Sequence, residues 1–261
     1  MPLLLLCSPE APVVDPNIWD TEIPLVATHH TPILIKLRDP SHFPSRPQFP
    51  ISQTYLCVLK PIIDRPLGQG LLVPTTSPCN TPILPVQKTS GSYRLIQDLR
   101  LINEAIIPAH PIAPNPYTLL SDIPSSTTHF TVIDLKDAFF TVPLHPDCQF
   151  LFAFTWTDPE AQQSFQLTWT VLPHGFRDSP HFFGQALARD LATCPLSPSV
   201  LLQYVDDLLL CSPSQALSQT HTTTLLNFLS SKGYRASQQK AQLTQTSVTY
   251  LGLKITLTTN C

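Results

Sequence analysis

Two adjacent aspartates, Asp206 and Asp207, sit inside an otherwise apolar run, LLQYVDDLLLC (201–211). Taking one carboxylate out of water is costly, and two side by side cost more unless positive charge lies among them. A third acid, Asp134, closes the apolar stretch HFTVID (129–134). If the strand ending in Asp134 lies beside a hairpin turning at Asp206 and Asp207, three carboxylates from separate segments converge. Acids held that close either raise one another's pKa or recruit cations. Hard divalent cations take oxygen ligands, and two of them can hold both the attacking and the leaving oxygen of a phosphoryl transfer. Taken alone, YVDD reads more simply as a solvent-facing turn that favours Asp. The chemistry therefore depends on the elements that bring the acids together.

Those elements have a readable order. HFTVIDLKDAFFTVPL (129–144) opens as a buried strand and passes into a short helical turn. LFAFTW (151–156) and FQLTWTVLP (165–173) read as two strands. SPHFFGQALARDLATC (179–194) has Ser179 to cap a helix, Pro180 in its first turn, and Phe183, Leu187 and Leu191 at four-residue spacing. LLQYVDDLLLC is a hairpin pattern, SQALSQTHTTTLLNFLSSKG (214–233) a second helix stopped by Gly233, and VTYLGLKITL (248–257) a closing strand. The sequence β, helix, β-hairpin, helix, β predicts an α+β protein built on a split βαβ sheet with helices on one face. Upstream, TPILIKL (31–37) reads as a strand and TPILPVQKTSGSYRLIQDLR (81–100) as strand, turn at Ser90-Gly91-Ser92, strand. YLCVLKPIIDRPLGQGLLVP (55–74) has helical apolar spacing that Pro61 and Pro66 interrupt. Residues 1–24 show no period and read as an extension or linker.

Composition narrows the class. With 43% hydrophobic and 13% charged residues the chain has enough apolar material for real cores, which argues against wholesale disorder. The 15 Lys and Arg against 18 Asp and Glu leave a net charge of −3, so any nucleic-acid contact must be local rather than global. Cysteines 7, 57, 79, 148, 194, 211 and 261 are odd in number and form no C-x-x-C pair, which points to reduced thiols, an intracellular, cytoplasmic setting and no zinc site. MPLLLLC lacks the charged start of a secretory signal, and no run approaches the ~20 apolar residues of a membrane span.

The motifs then line up with one family. IDLKDAFF (133–140), LPHGFRDSP (172–180), LLQYVDDLLL (201–210) and YLGL (250–253) resemble the successive motifs of a retroviral reverse transcriptase. SPCNTPILPVQK, YRLIQDLR and IN (77–103), with HPIAPNPYTLLS (110–121), resemble its gammaretroviral branch, as found in endogenous retroviral pol genes. The similarity runs from about residue 25 to the end, in order and with matching spacing. It implies a right-hand polymerase: fingers over 25–109 and 142–178, palm over 110–141 and 179–261. It also implies an RNA or DNA template with primer, deoxynucleoside triphosphates, two Mg²⁺ or Mn²⁺ ions, no membrane, and a virion association in the ancestral family.

By position, the resemblance makes Asp134, Asp206 and Asp207 the catalytic metal ligands, with Asp207 the less direct of the three. Lys88 and Arg94 match the basic residues that grip the incoming triphosphate, and read otherwise as a solvated hairpin tip. Asp137 and Ala138 would approach the triphosphate through backbone N–H groups. Phe139 matches the aromatic under the sugar that blocks a 2′-hydroxyl; from sequence alone it is equally a core aromatic beside Phe140. His174 and Gly175 fall at the nucleotide, Tyr204 and Val205 at primer end and nucleotide, and Leu251 and Gly252 at the primer grip. Lys240 matches a proton donor to pyrophosphate, and reads otherwise as a surface lysine.

Three departures stand out. His174 replaces the family's glutamine with a group that titrates near neutrality. Pro66 falls where the family continues a fingers helix, and an interior proline costs about 3 kcal/mol. The sequence stops at Cys261 inside the primer-grip region, where a thumb would follow. Two readings follow: an RNA-directed DNA polymerase, or a folded pol remnant that binds nucleic acid or a partner without turnover.

Overall fold

A computed structural model describes residues 13–19, 27, 29–89, 91–109 and 115–256. Most of the expected extension (1–24), including MPLLLLC, lies outside the described residues, as do Ser90 of the expected turn and residues 110–114. The elements run α1 (Gln53–Gly68), β1 (Leu72–Thr75), β2 (Ile83–Gln87), β3 (Tyr93–Gln97), α2 (Arg100–Ala105), α3 (Pro116–Ser121), β4 (His129–Asp134) and α4 (Pro146–Gln149). There follow β5 (Phe154–Thr157), β6 (Ser164–Trp169), α5 (Ser179–Leu191), β7 (Val200–Tyr204), β8 (Asp207–Ser212), α6 (Gln215–Ser231), β9 (Gln242–Gln245), β10 (Ser247–Tyr250) and β11 (Leu253–Thr256). They sort into two units, one of residues up to 21, 114–136 and 190–261, the other of 22–113 and 137–189.

The first unit is the split βαβ sheet, antiparallel in the order β7-β8-β4-β9. Side chains alternate along β4 because a strand has a period of two. Phe130 and Val132 pack with Leu202, Leu209 and Cys211 against Val248 and Tyr250, with Leu119 and Leu120 of α3 beside them. On the opposite face α6 buries Leu225, Leu226 and Leu229, and its Thr222 hydroxyl bonds Thr131 at 2.7 Å. Ser214 caps α6 by accepting from the Leu217 amide at 3.3 Å, and Gly233 follows it at φ 88°, as a helix stop requires.

The second unit holds a three-stranded sheet, β1-β6-β5, and the β2–β3 hairpin. Its α1 packs against β1 and β3 and corrects one expectation: the helix runs unbroken through Pro61 and Pro66. Leu56, Leu59, Ile63 and Pro66 are buried at three- and four-residue spacing. Burying that stripe outweighs the two hydrogen bonds the prolines forgo.

Four other expectations change. TPILIKL is an irregular segment with bridges only at Ile33 and Leu37. The first half of LFAFTW is a 3-10 turn, Phe150–Phe152, before β5 begins. VTYLGLKITL is a hairpin, β10–β11, whose turn residues Leu251 and Gly252 sit at φ 51° and 77°. Ser179 does not cap α5; its buried hydroxyl donates to the Pro173 carbonyl at 2.9 Å, inside the first turn. Among the described residues no helix is long and apolar enough to cross a membrane.

Candidate active site

Asp134 is the last residue of β4 and pairs with Asp207, the first residue of β8. Directly opposed residues in a sheet point to the same face, and like charges so placed repel. Asp206 lies between them in chain terms, in the two-residue turn joining β7 to β8, and its carbonyl accepts from the Leu135 amide at 3.0 Å. Val205 opens that turn at φ 54°. A β-branched residue rarely adopts this conformation, which a two-residue hairpin turn usually gives to glycine. The hairpin is therefore held in a strained form where the acids project.

The electrostatics of this cluster fit a cation. Burial, then the charges of Asp206 and Asp134, push the Asp207 carboxyl up to about 6. Lys240 is the nearby positive group, its Nζ 3.0 Å from Asp134 Oδ2. The hydrogen bond to Asp134 raises the lysine's own pKa and keeps it protonated. The set is all oxygen, all acidic and from one sheet end, which suits a hard divalent ion.

The primer-grip candidates Leu251 and Gly252 form the β10–β11 turn, with Leu251 against the same apolar cluster as Tyr204. Beside them Tyr250, fully buried, donates its hydroxyl to the Asp207 carbonyl at 3.1 Å. In sequence YLGL reads as part of a strand, and this tyrosine carries no role there.

The remaining candidates belong to the second unit. Lys88 is exposed in the β2–β3 turn, where its amide donates to Ser92 at 2.7 Å, and Arg94 is exposed on β3 opposite Val86. Asp137, left-handed at φ 49°, precedes the 3-10 turn Ala138–Thr141. Phe139 is half-buried, its ring centroid 5.3 Å from exposed His174 and 5.8 Å from Phe183. Phe140 stacks on Trp169 at 5.0 Å and meets His174 edge-on at 4.9 Å. Gly175 sits at φ 89°, where an added Cβ would meet the Gln97 carbonyl at 3.4 Å. Asn103 was missed as a site residue: its side chain donates to the Gly175 carbonyl at 3.1 Å and accepts from the Arg177 amide at 3.0 Å. It clasps the loop that carries His174.

A split βαβ sheet ending in a strained hairpin with opposed acids is the architecture of a nucleic-acid polymerase core, and the comparisons with known proteins agree. The family model described as reverse transcriptase (RNA-dependent DNA polymerase) matches residues 86–255, and this chain belongs to that family. It is 48% identical over 241 residues to the Gag-Pol polyprotein of woolly monkey sarcoma virus, covering 91% of this chain and 14% of that protein. With the Gag-Pol polyprotein of koala retrovirus it shares 46% over 256 residues, 94% of this chain and 15% of the relative. The prototype foamy virus protease-reverse transcriptase crystal structure superposes with a TM-score of 0.72 at 27% identity, over 92% of this chain and 31% of that one. A foamy viral protease-reverse transcriptase in complex with an RNA/DNA hybrid gives 0.72 at 28% identity, over 86% and 30%. The chain thus spans about a seventh of these polyproteins and under a third of these solved chains.

Proposed function

We propose that this chain is the polymerase portion of a retroviral Pol protein, adding deoxynucleotides to a primer 3′ end on an RNA or DNA template. The observation that carries this is the opposition of Asp134 and Asp207 beside the Asp206 turn. The sheet unit takes the part of the palm and the other unit that of the fingers. Asp134 and Asp206 would be the principal ligands of two Mg²⁺ or Mn²⁺ ions, with Asp207 the third acid. Bound there, the ions would lower the barrier by stabilising charge on the attacking and leaving oxygens.

The other roles belong to the chain's own groups. Lys88 and Arg94 would hold the triphosphate by charge, and Asp137 and Ala138 by backbone N–H groups. Phe139, placed against His174 and Phe183, would stand under the sugar and exclude a 2′-hydroxyl. Tyr204 and Val205 would contact primer end and nucleotide, and Leu251 and Gly252 the primer. Lys240 carries its proton at neutral pH because Asp134 holds it, which suits a donor to departing pyrophosphate. Primer extension with Mg²⁺ or Mn²⁺ tests the whole reading. Wild type should extend the primer and Asp206→Asn should not; equal products from both, or none from wild type, would reject it.

A further inference from the structure

Residues 13–19 lie within the stretch that reads in sequence as an extension, and the fold uses them differently. The Ile18 side chain is fully buried, and its carbonyl accepts from the Ala236 amide at 2.8 Å. Ala236 bridges Leu135. On the same segment the Ser237 amide donates to the Asp134 carbonyl at 2.9 Å, and the Lys136 amide to the Arg235 carbonyl at 2.8 Å. The far side of this strand end is held by the Leu135 amide on the Asp206 carbonyl at 3.0 Å. A ribbon of hydrogen bonds therefore runs from 18, through 235–237 and 134–136, to 206. Four residues further along the 236 segment, Lys240 reaches Asp134.

The strap is itself anchored to α6. The Asp15 amide donates to Asn227 Oδ1 at 2.7 Å, Asn227 Nδ2 donates to the Val13 carbonyl at 3.0 Å, and the Ser230 hydroxyl donates to Asp15 Oδ2 at 2.6 Å. Arg235, 8% exposed with its Nε unpaired, lies on the segment the strap holds.

We infer that the 13–19 strap is a positioning element for the metal-binding end of the sheet, acting on Asp134 and Lys240 through residues 235–240. The inference rests on the reading of Asp134, Asp206 and Asp207 as a metal site. Asp15 and Asn227 are positioning residues, acting through the 235–240 segment. Groups that orient metal ligands cost about 10- to 100-fold in affinity when removed.

The test is Mn²⁺ titration of the full chain, followed by electron paramagnetic resonance well below the melting temperature, with thermal melts in parallel. Asn227→Ala, which removes two strap bonds, and Asp15→Ala, which removes the bonds from Ser230 and from the Asn17 amide, should each weaken Mn²⁺ binding about tenfold. Asp15→Asn keeps an acceptor for Ser230 and should recover most of the affinity. A lower melting temperature with unchanged Mn²⁺ affinity would make the strap merely structural and overturn the inference. Asp15→Ala decides the matter if Asn227→Ala does not fold. Asp134→Asn is the control: should it bind Mn²⁺ as wild type does, the metal site itself fails and the inference falls with it.

Discussion

Asp207 is an acid that the fold holds against its own preference. Its carboxyl is pushed up to about 6 by burial and by two acidic neighbours, against an ordinary value near 3.8. A raised folded-state pKa means that full stability is present below the unfolded value and is lost as pH rises through about 6. At neutral pH the ionised side chain therefore works against folding. Asp207→Asn should raise the melting temperature at pH 7, by about 2–4 °C for each kcal/mol relieved, while weakening Mn²⁺ binding. An unchanged or lower melting temperature would contradict the repulsion. Phe139 is decided at the same scale. Its ring meets His174 and Phe183 and remains half-exposed, so it has both a supporting wall and an accessible edge. Phe139→Val should let ribonucleotides compete with deoxynucleotides in incorporation assays. Lost stability with unchanged sugar selectivity would make it a core aromatic.

At the scale of elements, the strongly periodic segments were legible and the ones governed by tertiary partners were not. Helix α6, strand β4 and the β7–β8 hairpin follow from apolar spacing and a short polar break. The β10–β11 turn escaped because Leu251 takes a left-handed conformation that its residue type does not announce. TPILIKL escaped for the opposite reason: it has strand composition but finds only single bridges, at Ile33 and Leu37. Helix α1 survives its prolines through burial that local propensity does not count. The three candidate acids stand out in the sequence as a trio, whereas Tyr250 and Asn103, which bond to backbone, leave no chemical signature. Helix α6 also carries a titratable group in its buried face. His221 Nδ1 lies 2.7 Å from the Ser199 hydroxyl, which donates to Ser212 at 2.8 Å. Burial lowers the pKa of His221 below its ordinary 6.5. Its contribution is whole above 6.5 and is lost as pH falls toward the lowered value, because the unfolded chain takes up the proton first. The melting temperature of wild type should therefore drop more between pH 7 and 5.5 than that of His221→Asn. Parallel curves would remove His221 from the account.

For the whole molecule, charge sets the terms of contact with nucleic acid. A net charge of −3 gives no general attraction to phosphate, so on the proposed reading template-primer binding would come from a few placed cations. Contacts of that kind release counterions and are lost steeply with salt. If six phosphates are engaged, template-primer affinity should fall about 10³-fold between about 50 and 200 mM salt. Extension should then be distributive, by one or a few nucleotides before release. Long products at the higher salt would show that another source of affinity dominates.

The interleaving of the two units also sets a timetable. The unit made of 22–113 and 137–189 has all of its chain once residue 189 is synthesised. The 13–19 strap finds its hydrogen-bond partners Asn227 and Ala236 only when they emerge more than 200 residues after it. Closing so long a loop is slow, and contacts of high sequence separation form late. The strap is thus made ahead of the rest of its unit and docks among the last, and until it does, the buried face of Ile18 is open to chaperones and to proteases.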